Sequence, residues 1–120
     1  MKYVYELCKG RHQTPAPAAI FPGELNPLDV QGMYTAADAA IPDDCTELTL
    51  YVTGLSVALL AVVQVANDRG ITLTAMHFDR ESGQYYPQHV TRFITCSFCG
   101  GRVPGTAYWH SQYCPHCGAS

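Results

Sequence analysis

Between Glu47 and Phe78 the hydrophobic period of the chain changes twice. Over ELTLYVT, Leu48, Leu50 and Val52 alternate with Thr49, Tyr51 and Thr53, the two-residue period of a strand. From Leu55 to Ala66 nearly every position is apolar, broken by Ser56 and Gln64. That run ends in Asn67-Asp68-Arg69-Gly70, a helix stop with glycine at the C′ position. ITLTAMHF, residues 71–78, is β-branched and apolar again and predicts a second strand. Strand, tight turn, helix, strand is a βαβ unit, whose strands are expected to run parallel with a right-handed crossover.

The same reading extends to both sides. KYVYELC, Lys2 to Cys8, predicts a short aromatic first strand stopped by Gly10. Residues 10–26 hold three prolines and two glycines and show no period, so a long loop is expected there, of the kind that is functional or disordered. Asn26-Pro27 predicts a helix start, with Asn26 as N-cap, Pro27 at the first position and Asp29 favourable to the dipole. Val30, Met33, Tyr34, Ala37 and Ile41 fall on one face, and Pro42 ends the helix. After Phe78, a polar turn at residues 79–83 leads to Gln84-Tyr85-Tyr86-Pro87, read as an antiparallel partner of the preceding strand, with Pro87 marking an edge. The expected fold is a small α/β Rossmann-like sheet of order β-α-β-α-β-β over residues 1–89, followed by a separate module over residues 90–120. No internal repeat is visible.

Composition narrows the class. A chain of 120 residues with 48 % apolar content suits one ordinary domain and an appendage. Its longest apolar run, about twelve residues, is too short to span a bilayer. The first residues contain no signal-peptide core, so a cytoplasmic protein of prokaryotic or viral origin is expected, in the host cytoplasm if phage-encoded. The net charge of −3 is uneven: residues 1–89 carry ten acids against five bases, and residues 90–120 carry only Arg92 and Arg102. Two arginines are not the basic cluster of a dedicated nucleic-acid binder.

The tail carries the sharpest chemistry. Cys96 and Cys99 form one C-x-x-C and Cys114 and Cys117 another, with fourteen residues between the pairs. Each pair is followed by a glycine, Gly100 or Gly118, which lets the backbone curl its N–H groups toward thiolate sulfur. Four thiolates predict a closed, tetrahedral, structural zinc site, one per chain. A module of this size buries too little core to fold alone and should need its metal. His110 and His116 are read as bystanders, and Phe98, Tyr108, Trp109 and Tyr113 as packing. The knuckles CSFCG and CPHCG resemble the zinc-ribbon superfamily over residues 96–118, a likeness specific for metal and silent on function.

A second set of residues converges if the strands are parallel. Gly10-Arg11-His12 would leave the first strand at the same end of the sheet as the turn Thr53-Gly54-Leu55-Ser56, and Arg80 would follow the third strand there. Ligands of open α/β sheets bind at that end. Gly54 permits a sharp turn, Ser56 is the expected N-cap, and free helix N–H groups with arginine favour phosphate. His12 is the candidate acid or base. The bland alternative stays open: an ordinary βα turn beside a solvated histidine. Cys8 and His77 are read as structural, and Cys45 has no partner in view.

The first strand with its loop Gly10-Arg11-His12, and the segment LYVTGLSVALL, residues 50–60, resemble small Rossmann-like proteins associated with type III CRISPR systems, which include ring nucleases and cyclic-oligonucleotide binders. That resemblance implies a homodimer holding a cyclic ligand across its interface with strand-end loops. It also implies metal-independent phosphodiester cleavage in some members and sequestration in others, with Arg11 and His12 as the residues to carry over. Whether the chain is an enzyme stays open. Two readings compete with a nucleotide binder: a non-catalytic inhibitor or adaptor that contacts another protein through the ribbon or the loop at 10–26, and a direct nucleic-acid binder acting through the ribbon.

Overall fold

The computed structural model describes residues 1–9, 14–23, 25–54, 56–95 and 100–104. The fold is mixed α/β. Strands β1 (Lys2–Cys8), β2 (Ala19–Phe21), β3 (Glu47–Tyr51), β4 (Thr72–Asp79) and β5 (Gln84–His89) form one sheet in the order β2-β1-β3-β4-β5. The first four are mutually parallel, and β5 returns antiparallel along β4. Helices α1 (Val30–Ala40) and α2 (Ser56–Arg69) pack against each other in the crossovers β2-α1-β3 and β3-α2-β4. Both crossovers advance in the same direction across the sheet, so right-handedness places both helices on one face. Among the described residues the other face carries no helix.

The alternation read from the sequence sets which side chains the helices cover. Leu48 and Leu50 of β3 and Leu73 and Ala75 of β4 are fully buried, while Thr49, Tyr51, Thr74 and Met76 between them stay partly exposed. Helix α2 closes the core with Ala58, Ala61, Val62, Val65 and Ala66. Its small residues let it lie close to the sheet, and it packs against α1, while Leu60 stays exposed. It ends as anticipated: Gly70 has φ +66°, and the Ile71 N–H reaches back to Ala66 O at 2.8 Å. This six-to-one bond is the Schellman closure that glycine permits.

Two local expectations are corrected. The α1 N-cap is Asp29, whose Oδ1 accepts from Gly32 N at 3.0 Å, whereas Asn26 Oδ1 accepts from Leu28 N and shapes the turn before the helix. Pro27 lies in that turn, and Val30 is 54 % exposed instead of joining Met33 and Ala37 in the core. Within the loop at 10–26 the chain also builds β2, a three-residue edge strand whose Ile20 and Phe21 are buried. Before it, Thr14 Oγ1 donates to Glu6 Oε2 at 2.8 Å. Glu6 pairs with Tyr51 on the helix-free side of β1, so this connection passes over the open face.

Beyond β5 the chain does not detach. Val90 N and Thr91 N both donate to Leu73 O, and Leu73 N returns to Thr91 O. Two residues opposing one is a β-bulge, which bends the chain toward the amino end of the sheet. There β6 (Phe93–Thr95) pairs antiparallel with β7 (Arg102–Pro104). Thr72 Oγ1 donates to Phe93 O and accepts from Phe93 N. The Arg102 guanidinium donates to Gly70 O, Thr46 O, Phe93 O and Thr95 Oγ1 at 2.9–3.3 Å. Val103 is 2 % exposed, and a Cβ on Gly70 would come within 2.7 Å of Arg102 Cβ. The residues 93–95 and 102–104 are therefore fastened to the α/β layer.

Candidate functional site: the carboxyl ends of β1 and β3

The parallel register brings the ends of β1 and β3 together as the sequence suggested. The clasp between them is Thr53. It is 3 % exposed, its Oγ1 donates to Cys8 O at 2.7 Å and accepts from Cys8 N at 3.0 Å. The hydroxyl thus replaces the next rung of the parallel ladder and is spent on backbone. Both of its bonds hold the two strand ends in register. Gly54 follows with φ +94°, which a side chain would strain, and turns the chain into α2. Ser56 is exposed and is the first residue of α2, one step inside the helix from the expected N-cap position. Arg11 and His12, with Gly10 and Leu55, lie outside the described residues.

Arg80 sits exposed at the tip of the β4–β5 turn and has no hydrogen-bond or ion-pair partner among the described residues. It does not pair with its neighbour Asp79, because that carboxylate is engaged by its own turn. Asp79 accepts from Glu81 N at 3.2 Å and Ser82 N at 3.4 Å. The Ser82 side-chain hydrogen bond, then the Glu81 N–H, hold its carboxyl below the usual value. Lys9 is likewise exposed beyond β1. The opposite end of the sheet is acidic, with Asp43, Asp44, Glu47 and Asp68; two of its arginines are occupied, and Arg92 stands exposed beside Glu47. Arg69 donates to Ile41 O, Pro42 O and Asp38, and Arg102 to the carbonyls described above. Lys9 and Arg80 thus stand exposed at the carboxyl ends, with Glu81 beside Arg80.

The connections leave this end in opposite senses. From β1 the chain passes over the open face to β2; from β3 it enters α2 on the helix face. Neighbouring strands whose connections part to opposite faces leave a crevice outside their carboxyl ends, and this is where open α/β sheets bind ligands. The strand order 2-1-3-4-5 puts the crevice between β1 and β3.

The other candidate residues fall as follows. Cys8 and Cys45 are buried free thiols, and burial pushes the Cys45 thiol up. His77 Nε2 lies 2.8 Å from Gln88 Oε1, a cross-strand tie. Among the described residues no group of three histidines, cysteines or carboxylates is placed to hold a metal. Cys96, Cys99, Cys114 and Cys117 lie outside them. No helix among the described residues is long and apolar enough to cross a membrane. Sequence reasoning missed an aromatic cluster at the same end of the sheet, on its open face. Tyr51 and Tyr85 meet edge-to-face with centroids 4.8 Å apart, and Phe78 meets Tyr85 at 5.3 Å. The signal was present: the hairpin pairing sets Phe78 opposite Tyr85, and the strand period puts Tyr51 on that face.

A Thr53→Val variant tests the clasp. It keeps shape, removes the bond to Cys8 O and leaves Cys8 N without an acceptor in a buried site, an expected loss of about 1–3 kcal/mol in unfolding free energy. Urea denaturation of the variant measures it, and an unchanged midpoint would show that Thr53 holds nothing. Comparison of the chain with protein-family models, with curated proteins and with solved structures returns no match in any of the three.

Proposed function

We propose that this chain is a Rossmann-like nucleotide-binding protein that holds a phosphate-bearing ligand in the crevice between the ends of β1 and β3. The observation that carries the reading is the parting of the two connections there, clasped by Thr53, at the end of the sheet where Lys9 and Arg80 stand uncommitted. The α2 N-terminus lies directly after this turn, and Arg11 and His12 belong to the segment leaving β1. In this reading Gly10, Arg11, Gly54, Leu55, Ser56 and Arg80 bind phosphate, and Thr53 orders the turn. If the ligand is cut, His12 is the acid or base, and if it is only sequestered, His12 contributes to binding. The resemblance to CRISPR-associated ring nucleases and cyclic-oligonucleotide binders makes cyclic oligonucleotides the first ligands to offer and a homodimer the first assembly to look for.

The test is native mass spectrometry with a panel of cyclic oligonucleotides, followed by titration of the double variant Arg11→Ala with Ser56→Ala. Loss of charge-assisted and N-terminal hydrogen bonds should weaken binding by about ten-fold or more. Unchanged affinity, or no nucleotide bound at all, sinks the reading.

For the tail, the proposal is a structural zinc ribbon held by Cys96, Cys99, Cys114 and Cys117. Two described features support it. The first cysteine pair falls in sequence between β6 and β7, which pair antiparallel, and Gly100, directly after Cys99, has φ +72°. That is the conformation a metal knuckle asks of its glycine. Bound there, zinc would supply cross-linking and no open coordination position.

A further inference from the structure

Resting on the nucleotide reading, we infer that the aromatic cluster Tyr51–Phe78–Tyr85 is a stacking platform for a base of that ligand. Three observations lead to it. First, these rings occupy the helix-free face, where a ring can approach from solvent, and Phe78 is 47 % exposed. Second, the rings are held. Tyr85 is gripped edge-on by Tyr51 at an interplanar angle of 87° and by Phe78 at 66°. Met76 lies between Tyr51 and Pro87 across the strands. Such a surface is already ordered before a ligand arrives, so little side-chain entropy is lost on stacking. Third, the charge beside it is complementary to a nucleotide. Arg80, two residues past Phe78, is an exposed cation with no partner among the described residues, while Asp79 is turned inward to its own N–H groups.

Aromatic side chains on an exposed sheet face, flanked by uncommitted cations, bind bases by their π-faces, tolerant of base identity. The platform begins two residues before the Thr53 clasp, so a phosphate in the crevice and a base on the open face wrap over one end of β3. The occupant is a nucleobase linked to phosphate. A protein surface or a second copy of the chain would use the same apolar area but would leave Arg80 without its anion.

The experiment compares a short linear oligoadenylate with an abasic oligomer carrying the same phosphates. Wild type should prefer the base-bearing ligand by about ten-fold or more, and Phe78→Leu, which keeps apolar bulk without a π-face, should erase most of that preference. Phe78→Trp should restore it, and thermal melts of both variants check folding. Ring protons of Phe78 and Tyr85 should shift on adding the base-bearing ligand and not the abasic one. Equal affinity for the two ligands overturns the platform and leaves the crevice reading standing. Binding of neither overturns both. A fall for both ligands alike in Phe78→Leu shows a merely structural ring. A dimer seen by sedimentation and broken by Phe78→Asp shows that the face belongs to a second copy, and also overturns the inference.

Discussion

On the ribbon proposal, a chelator is expected to lower the melt of the chain by at least about 10 °C, in one transition instead of shedding the tail first. Structural zinc held by cysteines contributes about 10–16 kcal/mol of apparent binding energy in isolated peptides, more than the whole stability of a small domain. A ribbon on a free linker would lose its own fold and leave the α/β melt untouched. Here β6 and β7, which flank the first cysteine pair in sequence, are bonded to Gly70, Thr46 and Thr72, and Val103 is buried. Disordering it exposes carbonyls and apolar surface at the amino end of the sheet. Circular dichroism melts with and without chelator measure the shift, and native mass spectrometry counts the metal. Loss of one zinc with an unchanged melt would show the two parts to be independent. No zinc in the isolated protein would remove the ribbon altogether.

The second large effect falls on Arg102. One guanidinium satisfies three backbone carbonyls, of Gly70, Thr46 and Phe93, and the Thr95 hydroxyl. Hydrogen bonds to a charged donor are worth about 1.5–3 kcal/mol each where a partner is left buried and unmet, though bonds of one fork do not add. Arg102→Met is therefore expected to cost about 3 kcal/mol in all and to lower the melting temperature by about 10 °C. Arg102→Lys should recover little, because a single ammonium cannot reach the α1–β3 and α2–β4 loops and the hairpin together. Thermal denaturation of the zinc-loaded variants measures both. A melt within a degree or so of wild type for Arg102→Met would show that the fork is ornamental and that Val103 alone docks the hairpin.

The strands β1, β3, β4 and β5 and the helix α2 were legible because each carries a clean hydrophobic period or a stop signal. Leu48, Leu50 and Val52 alternate, and Gly70 terminates α2 as its position suggested. β2 was not legible. Ala19-Ile20-Phe21 is too short to show a period, sits among prolines, and becomes a strand only because β1 offers it a partner. The N-cap of α1 went to Asp29 over Asn26 because both are good caps and only the tertiary position of Met33 and Ala37 decides between them. At the site, the sequence brought Thr53 and Gly54 to the carboxyl end of the sheet but gave no sign of the clasp that Thr53 forms. Its bonds to Cys8 are long-range and leave no local pattern. The fastening of residues 93–95 and 102–104 to the α/β layer was equally hidden, since Arg102, Thr46 and Gly70 are far apart in sequence.

The placement of Pro87 has a consequence for how copies of this chain meet. Val90 N bonds to Leu73 O, so hydrogen-bonded pairs along β4–β5 alternate and the Met76–Pro87 pair is a non-bonded one. The ring nitrogen of Pro87 therefore stands on the outward side of β5, where an added strand would seek a donor. At the other margin β2 offers only three residues. Both margins of the sheet are poor templates for strand addition, which is the route by which exposed sheets grow into fibrils. Such a sheet can stay free of that growth because its lateral hydrogen-bonding rows are cut short.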